Sequence, residues 1–116
     1  MLEDVTSVAL HTALSSLSMR QRVIANNIAN VETPNFHASR VTFEDALRSA
    51  VANGGDPARV SPSVARSLEP TREDGNNVNL DHETLSQIDT GLRYQVSLRA
   101  IDSKFGLLHD VIKGGG

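Results

Sequence analysis

Apolar positions between Leu10 and Val31 recur in alternating steps of four and three. The series Leu10, Leu14, Leu17, Gln21, Ile24, Ile28, Val31 is an a/d seam with one polar insertion at Gln21, and Val5 and Ala13 lie near the same face. No proline or glycine interrupts residues 4–30, so the spacing predicts a helix there of ~40 Å. An ordinary amphipathic core helix would show a related pattern. This seam, however, is narrow, and Ser, Thr, Ala, Asn and Arg cover much of the remaining surface, which suits coiled-coil packing against a partner helix.

A second long pattern begins near Asp81. Asn79 or Asp81 can cap its start, and Asp81 and Glu83 put negative charge at the positive end of the helix dipole. Leu85, Ile88 and Leu92 open an apolar stripe. After a phase shift near Gln95, Leu98, Ile101, Phe105, Leu108 and Ile112 continue it, a change resembling a stutter in a heptad repeat. Gly91 and Gly106 lie inside this helix, as places of close backbone approach or as simple weak points.

Between these patterns the period changes. Val41 and Phe43 alternate with Arg40 and Thr42, as in a short half-exposed strand. Phe43, Ala46, Leu47 and Ala50 then form one face of a short helix at about 43–52, with Thr42 as the expected N-cap and Gly54 and Gly55 as its stop. Residues 53–79 contain Pro57, Pro62 and Pro70 and few apolar positions, so an extended or flexible segment is expected. Asp74-Gly75-Asn76-Asn77 is a turn signal. The expected architecture is mainly α: an N-terminal long helix (1–31), a middle with a corner, short strand, short helix and flexible segment (32–80), and a C-terminal long helix (81–116). Together they make one coiled-coil-like hairpin.

Composition narrows the function. Leu, Ile, Val and Phe make up about 27% of the chain, above the roughly 20% associated with outright disorder. With three Phe, one Tyr and no Trp, the core must be aliphatic. A net charge of −3 without a basic cluster argues against nucleic-acid binding. The absence of cysteine excludes a disulfide framework or a Cys-based zinc site. No apolar run approaches the ~20 residues of a membrane-spanning helix, and no cleavable secretory signal is visible. His11, His37, His82 and His109 are widely spaced, and no calcium loop or phosphate-cradling glycine loop occurs. No catalytic, cofactor or metal constellation emerges, which points to a non-enzyme without cofactors. Two long helices with a thin middle leave part of their seam wet, and this favours self-assembly.

The two helices frame a corner, Asn27-Ile28-Ala29-Asn30-Val31-Glu32-Thr33-Pro34-Asn35-Phe36. Asn30 tolerates the left-handed geometry common at helix ends. Pro34 pushes Thr33 toward extended geometry and has no N–H to continue a helix. Phe36 is placed to pack back on the helix. A plain helix stop would use the same residue types, but the string Asn-Ile-Ala-Asn-x-x-Thr-Pro-x-Phe resembles the N-terminal signature of bacterial flagellar axial proteins. Asn35 stands where that family usually has glycine, and asparagine is the best substitute at positive φ. Asp74-Gly75-Asn76-Asn77-Val78-Asn79-Leu80-Asp81, with Leu92-Arg93-Tyr94-Gln95 downstream, is similar to the C-terminal region of the FlgB family of basal-body rod proteins. The likeness covers about residues 10–47 and 74–112.

That resemblance implies a structural subunit of the proximal rod, exported by the flagellar type III system without a cleaved signal and polymerising through its terminal helices. It implies as partners other copies of the chain, other rod proteins, the FliE adaptor, the MS ring and the export apparatus, without direct membrane insertion. Asn27, Ala29, Asn30, Thr33, Pro34 and Phe36 would shape the corner that meets neighbouring subunits. Gly75, Asn76 and Val78 would shape the entry to the second helix. Leu10, Leu14, Leu17, Ile24, Ile28, Leu98, Ile101, Phe105 and Leu108 would form an assembly seam, so Ile101→Asp is expected to block assembly. A type III needle or inner-rod subunit, or a soluble helical adaptor, are the competing readings; a WXG-type hairpin would need a Trp that this chain lacks.

Overall fold

A computed structural model describes residues 4–114, with side chains described for 4–104. Helix α1 runs from Val5 to Ala29. Asp4 caps it, accepting from the Ser7 amide at 2.8 Å and satisfying an amide that has no partner inside the helix. Helix α3 runs from Leu80 to Gly114, and Asn79 caps it by accepting from the His82 amide at 3.1 Å. The two pack against each other. Asn27 meets Glu83 at one end and Asp4 meets Lys104 at the other, so the pair is an antiparallel hairpin. The molecule is long and thin, 68 × 26 × 14 Å.

The predicted short elements form as strand β1, Ser39–Thr42, and helix α2, Glu44–Ala52. Val41 and Phe43 are buried while Thr42 is exposed, as the alternation requires. Thr42 does not cap α2: Phe43 holds the N-cap position, and its side chain accepts no amide of the helix. Glu44 and Asp45 supply negative charge to the first turn instead. The segment after α2 holds a short 3-10 turn at Pro57–Arg59 and a second strand, β2, Ser63–Arg66. β2 pairs antiparallel with β1, Ser39 opposite Arg66 and Thr42 opposite Ser63. Its four residues are all exposed, so no apolar alternation announces it.

The seam of α1 is its inward stripe. Leu17 and Ile24 are buried, and Leu10, Leu14, Gln21 and Ile28 are partly covered. The stripe of α3 divides at the phase shift. Leu85, Ile88, Leu92 and Val96 are 57–69% exposed. The inward side is instead polar, built on Glu83 and Thr90, until Ile101 takes it over. Ile101 lies nine positions beyond Leu92, about half a turn round the axis at ~100° per residue. The stutter thus marks a change of face. Ile101, Leu17 and Ile24 pack within the chain, so Ile101→Asp would disrupt the hairpin before any assembly step. Leu98 stays partly exposed; Phe105 and Leu108 lie outside the described side chains. Gly91 is no close approach, since a Cβ there would meet nothing within 4 Å.

The described core is small: Leu17, Ile24, Ala38, Val41, Phe43, Val78 and Ile101. The largest fully buried side chains are all polar, led by Glu83, Asn27 and Asn76. Buried polar groups are tolerable only when their bonds are made, and these three lie where the corner meets the start of α3.

Candidate functional site

The corner begins where α1 runs out of bonds. The Asn30 amide still donates to the Asn26 and Asn27 carbonyls, and the Thr33 amide donates to the Asn30 carbonyl at 3.0 Å. Asn30 has φ −105°, so the left-handed residue expected there is absent. The chain reverses at Asn35 instead, the one described non-glycine residue at positive φ, 63°. The Asn35 amide donates to the Asp74 carbonyl at 2.8 Å. Gly75, at φ 82°, lies so close that a Cβ would collide with Asn35 Oδ1. The two stretches singled out in the sequence, some forty residues apart, therefore form one site.

Three buried asparagine amides hold it. Asn76 Nδ2 donates to the carbonyls of Asn30 at 2.9 Å and Thr33 at 2.8 Å, while its Oδ1 accepts from the Val78 amide at 2.7 Å. Asn77 Oδ1 accepts from the Ala38 amide at 2.7 Å, and its Nδ2 donates to the carbonyls of Ser67 and Glu69. Asn27 exchanges two bonds with the backbone of Ser39, donating at 2.9 Å and accepting at 3.0 Å. Each amide uses both its donor and its acceptor ends, a pattern that neither Asp nor Leu can reproduce.

Charged side chains complete the frame. Asn27 also donates to Glu83 at 2.9 Å, and Arg40 reaches the same carboxylate at 2.7 Å. Glu83 is fully buried, where an unpaired charge would cost several kcal/mol. Arg72 donates to the carbonyls of Val31 and Val78. Arg20 of α1 grips Glu44 of α2 through two bonds of 2.6 and 2.7 Å, donates to the Val41 carbonyl at 2.8 Å, and lies 5.0 Å above the Phe43 ring. The Arg20 hydrogen bonds hold the Glu44 carboxyl down to about 2. Asn27 and Arg20 thus cover the β1 edge that β2 leaves open, side chains serving in place of a third strand.

Sequence reasoning had marked Asn27, Asn30, Thr33, Gly75, Asn76 and Val78, and the structure brings them together. Ala29, Pro34 and Asn35 form the exposed outer surface of the corner, and Phe36 is half-buried beside it. Arg20 and Arg72 carry no signal in the sequence, and Arg40, Asn77 and Glu83 read there only as strand, turn and helix-start residues. Isolated polar residues in a linear pattern read as solvated surface, and only the fold reveals their partners. Among the described residues no group of three His, Asp or Glu could hold a metal, and no helix is long and apolar enough to cross a membrane.

This arrangement anchors and orients; it presents no reactive group. Comparison with known proteins agrees. The family described as flagella basal body rod protein matches residues 9–37, spanning most of α1 and the corner. The flagellar basal body rod protein FlgB of Bacillus subtilis is 30% identical over 118 residues, 91% of this chain and 92% of that protein. FlgB of Borrelia hermsii is 36% identical, covering 89% of this chain and 92% of the relative. FlgB of Escherichia coli K12 is 30% identical over 89% of each. With similarity of this extent, including both halves of the asparagine-locked corner, the chain belongs to the FlgB family of flagellar basal body rod proteins, structural rod-forming subunits rather than enzymes.

Proposed function

We propose that the chain is a subunit of the proximal rod, exported by the flagellar type III apparatus without a cleaved signal and assembled through its terminal helices. Its neighbours are further copies of itself and other rod proteins, with the FliE adaptor and the MS ring at the base. The observation that carries this reading is the inversion of α3. Its long apolar stripe, Leu85 to Val96, stays exposed to solvent, with Leu92 and Val96 lining an open groove beside α1 and α2, while the largest fully buried side chains are polar. Large contiguous apolar surface is uncommon on a protein that works alone. A neighbouring helix would cover that stripe, and the locked corner would set the angle at which the middle of the chain leaves the helical pair. Ala29, Thr33 and Pro34 are the corner residues placed to touch a neighbour.

Deletion of the gene in its own host tests the reading. Envelope rings without rod, hook or filament, restored by the wild-type gene, are the expected result in electron micrographs. Intact flagella and normal swimming, in a host without a second copy, would overturn it.

A further inference from the structure

Asn53 is the one asparagine of the chain that glycine follows. It holds the C-cap position of α2, at φ −97°, and stands exposed. The next amide, that of Gly54, donates only through a long bond of 3.4 Å to the Val51 carbonyl. Gly54 has φ 70°, and a Cβ there would meet nothing within 4 Å. The Gly54 nitrogen is thus weakly held, and no side chain of its own shields it.

The fold protects the comparable positions. Asn27, Asn76 and Asn77 are buried, with their side-chain amides bonded in the corner. Asn26 lies inside α1. Asn30, Asn35 and Asn79 precede Val31, Phe36 and Leu80, whose side chains crowd the following nitrogen. Asp74-Gly75 is the corresponding acid sequence, and it is closed. The Gly75 amide donates to the Arg72 carbonyl at 2.9 Å, Asp74 Oδ1 accepts from the Asn76 amide at 3.0 Å, and Asn35 walls Gly75 in.

We infer that Asn53-Gly54 is a site of spontaneous deamidation. The Gly54 nitrogen attacks Asn53 Cγ and forms a C–N bond. The side-chain nitrogen leaves as ammonia, taking the proton from the Gly54 amide, and a cyclic imide remains. Water then adds to one imide carbonyl, and its bond to nitrogen breaks. Opening at Cγ gives aspartate. Opening at the main-chain carbonyl gives isoaspartate, with the backbone running through the former side chain. Water is consumed and ammonia released, with no change of oxidation state.

Either product carries a carboxylate that is ionised at neutral pH. It lies at the C-terminal end of α2, where the helix dipole disfavours negative charge. Isoaspartate also lengthens the short link from α2 to Pro57, whose carbonyl Thr12 of α1 holds at 3.2 Å. The modification therefore loosens α2 beside its anchor on α1. None of this depends on the rod-subunit reading.

The purified full chain and a synthetic peptide of residues 50–57 are incubated side by side at neutral and mildly alkaline pH, then analysed by peptide mapping and mass spectrometry. Residue 53 of the folded chain should convert to aspartate and isoaspartate within about tenfold of the peptide's rate, because opening an exposed, weakly bonded helix end costs little. The reaction should quicken as pH rises, since the attacking nitrogen must lose its proton, and Asp74 should stay unchanged. Conversion slower than that limit, or another asparagine reacting first, would overturn the inference. An acidic species should accumulate on ion exchange with the native chain and be missing from N53Q; its persistence in N53Q would also refute the assignment.

Discussion

At the scale of single residues, the corner depends on hydrogen-bond direction more than on shape. Asn76 is fully buried and donates to two carbonyls. Asn76→Asp keeps its size but turns a donor into an acceptor facing those oxygens. We expect a loss of about 3 kcal/mol, the cost of unmade bonds around a buried charged group, seen as a lowered urea midpoint. Glu44 makes a prediction in pH. Its carboxyl is held down to about 2 in the folded chain by Arg20, from an ordinary 4.5. The stability it adds is therefore complete above pH ~4.5 and fades as pH falls toward ~2. Because the group is partly exposed, about 1 kcal/mol is at stake after solvent screening. Glu44→Gln should show a flatter stability profile across that window, measured by denaturation at fixed temperature.

At the scale of elements, α3 carries one buried face and one exposed apolar face. Gly91 lies in its middle with open space where a Cβ would be. Gly91→Ala should raise the stability of the purified chain by up to about 1 kcal/mol, because alanine removes the glycine penalty in a helix interior; thermal unfolding reads it. β1 is held by main-chain bonds to β2 on one edge and by Asn27 and Arg20 on the other. Removing either side chain should loosen the strand and, through it, the path of residues 39–66.

At the scale of the whole molecule, the buried core and the proposed assembly surface use different residues. Ile101 is buried inside the hairpin, whereas Ile88 stands in solvent. Ile101→Asp should cost about 3 kcal/mol or more by burying an unpaired charge and leave little folded protein. Ile88→Asp should shift stability by no more than about 0.5 kcal/mol, as exposed substitutions generally do, yet abolish swimming. Circular dichroism and a motility assay on the two variants separate these effects. If Ile88→Asp swims normally, the outward stripe is no assembly surface.

The amino-acid order by itself determined the elements that depend on local sterics and periodicity. The uninterrupted seam makes α1, the alternation around Val41 makes β1, and Pro34 ends the helical run in a corner that Asn35 can turn because asparagine accepts positive φ. Tertiary structure alone decided what each face meets. Periodicity finds an apolar stripe on α3 but cannot say whether this chain or a neighbour covers it, and the fold turned Leu85, Ile88 and Leu92 outward. β2 has no apolar alternation; its pairing comes from β1, about twenty residues away. The asparagine lock lay hidden for the same reason. Asn27, Asn76 and Asn77 read as turn and helix-end residues in a linear string, and they become a joint only when the chain brings their carbonyl and amide partners within hydrogen-bond reach.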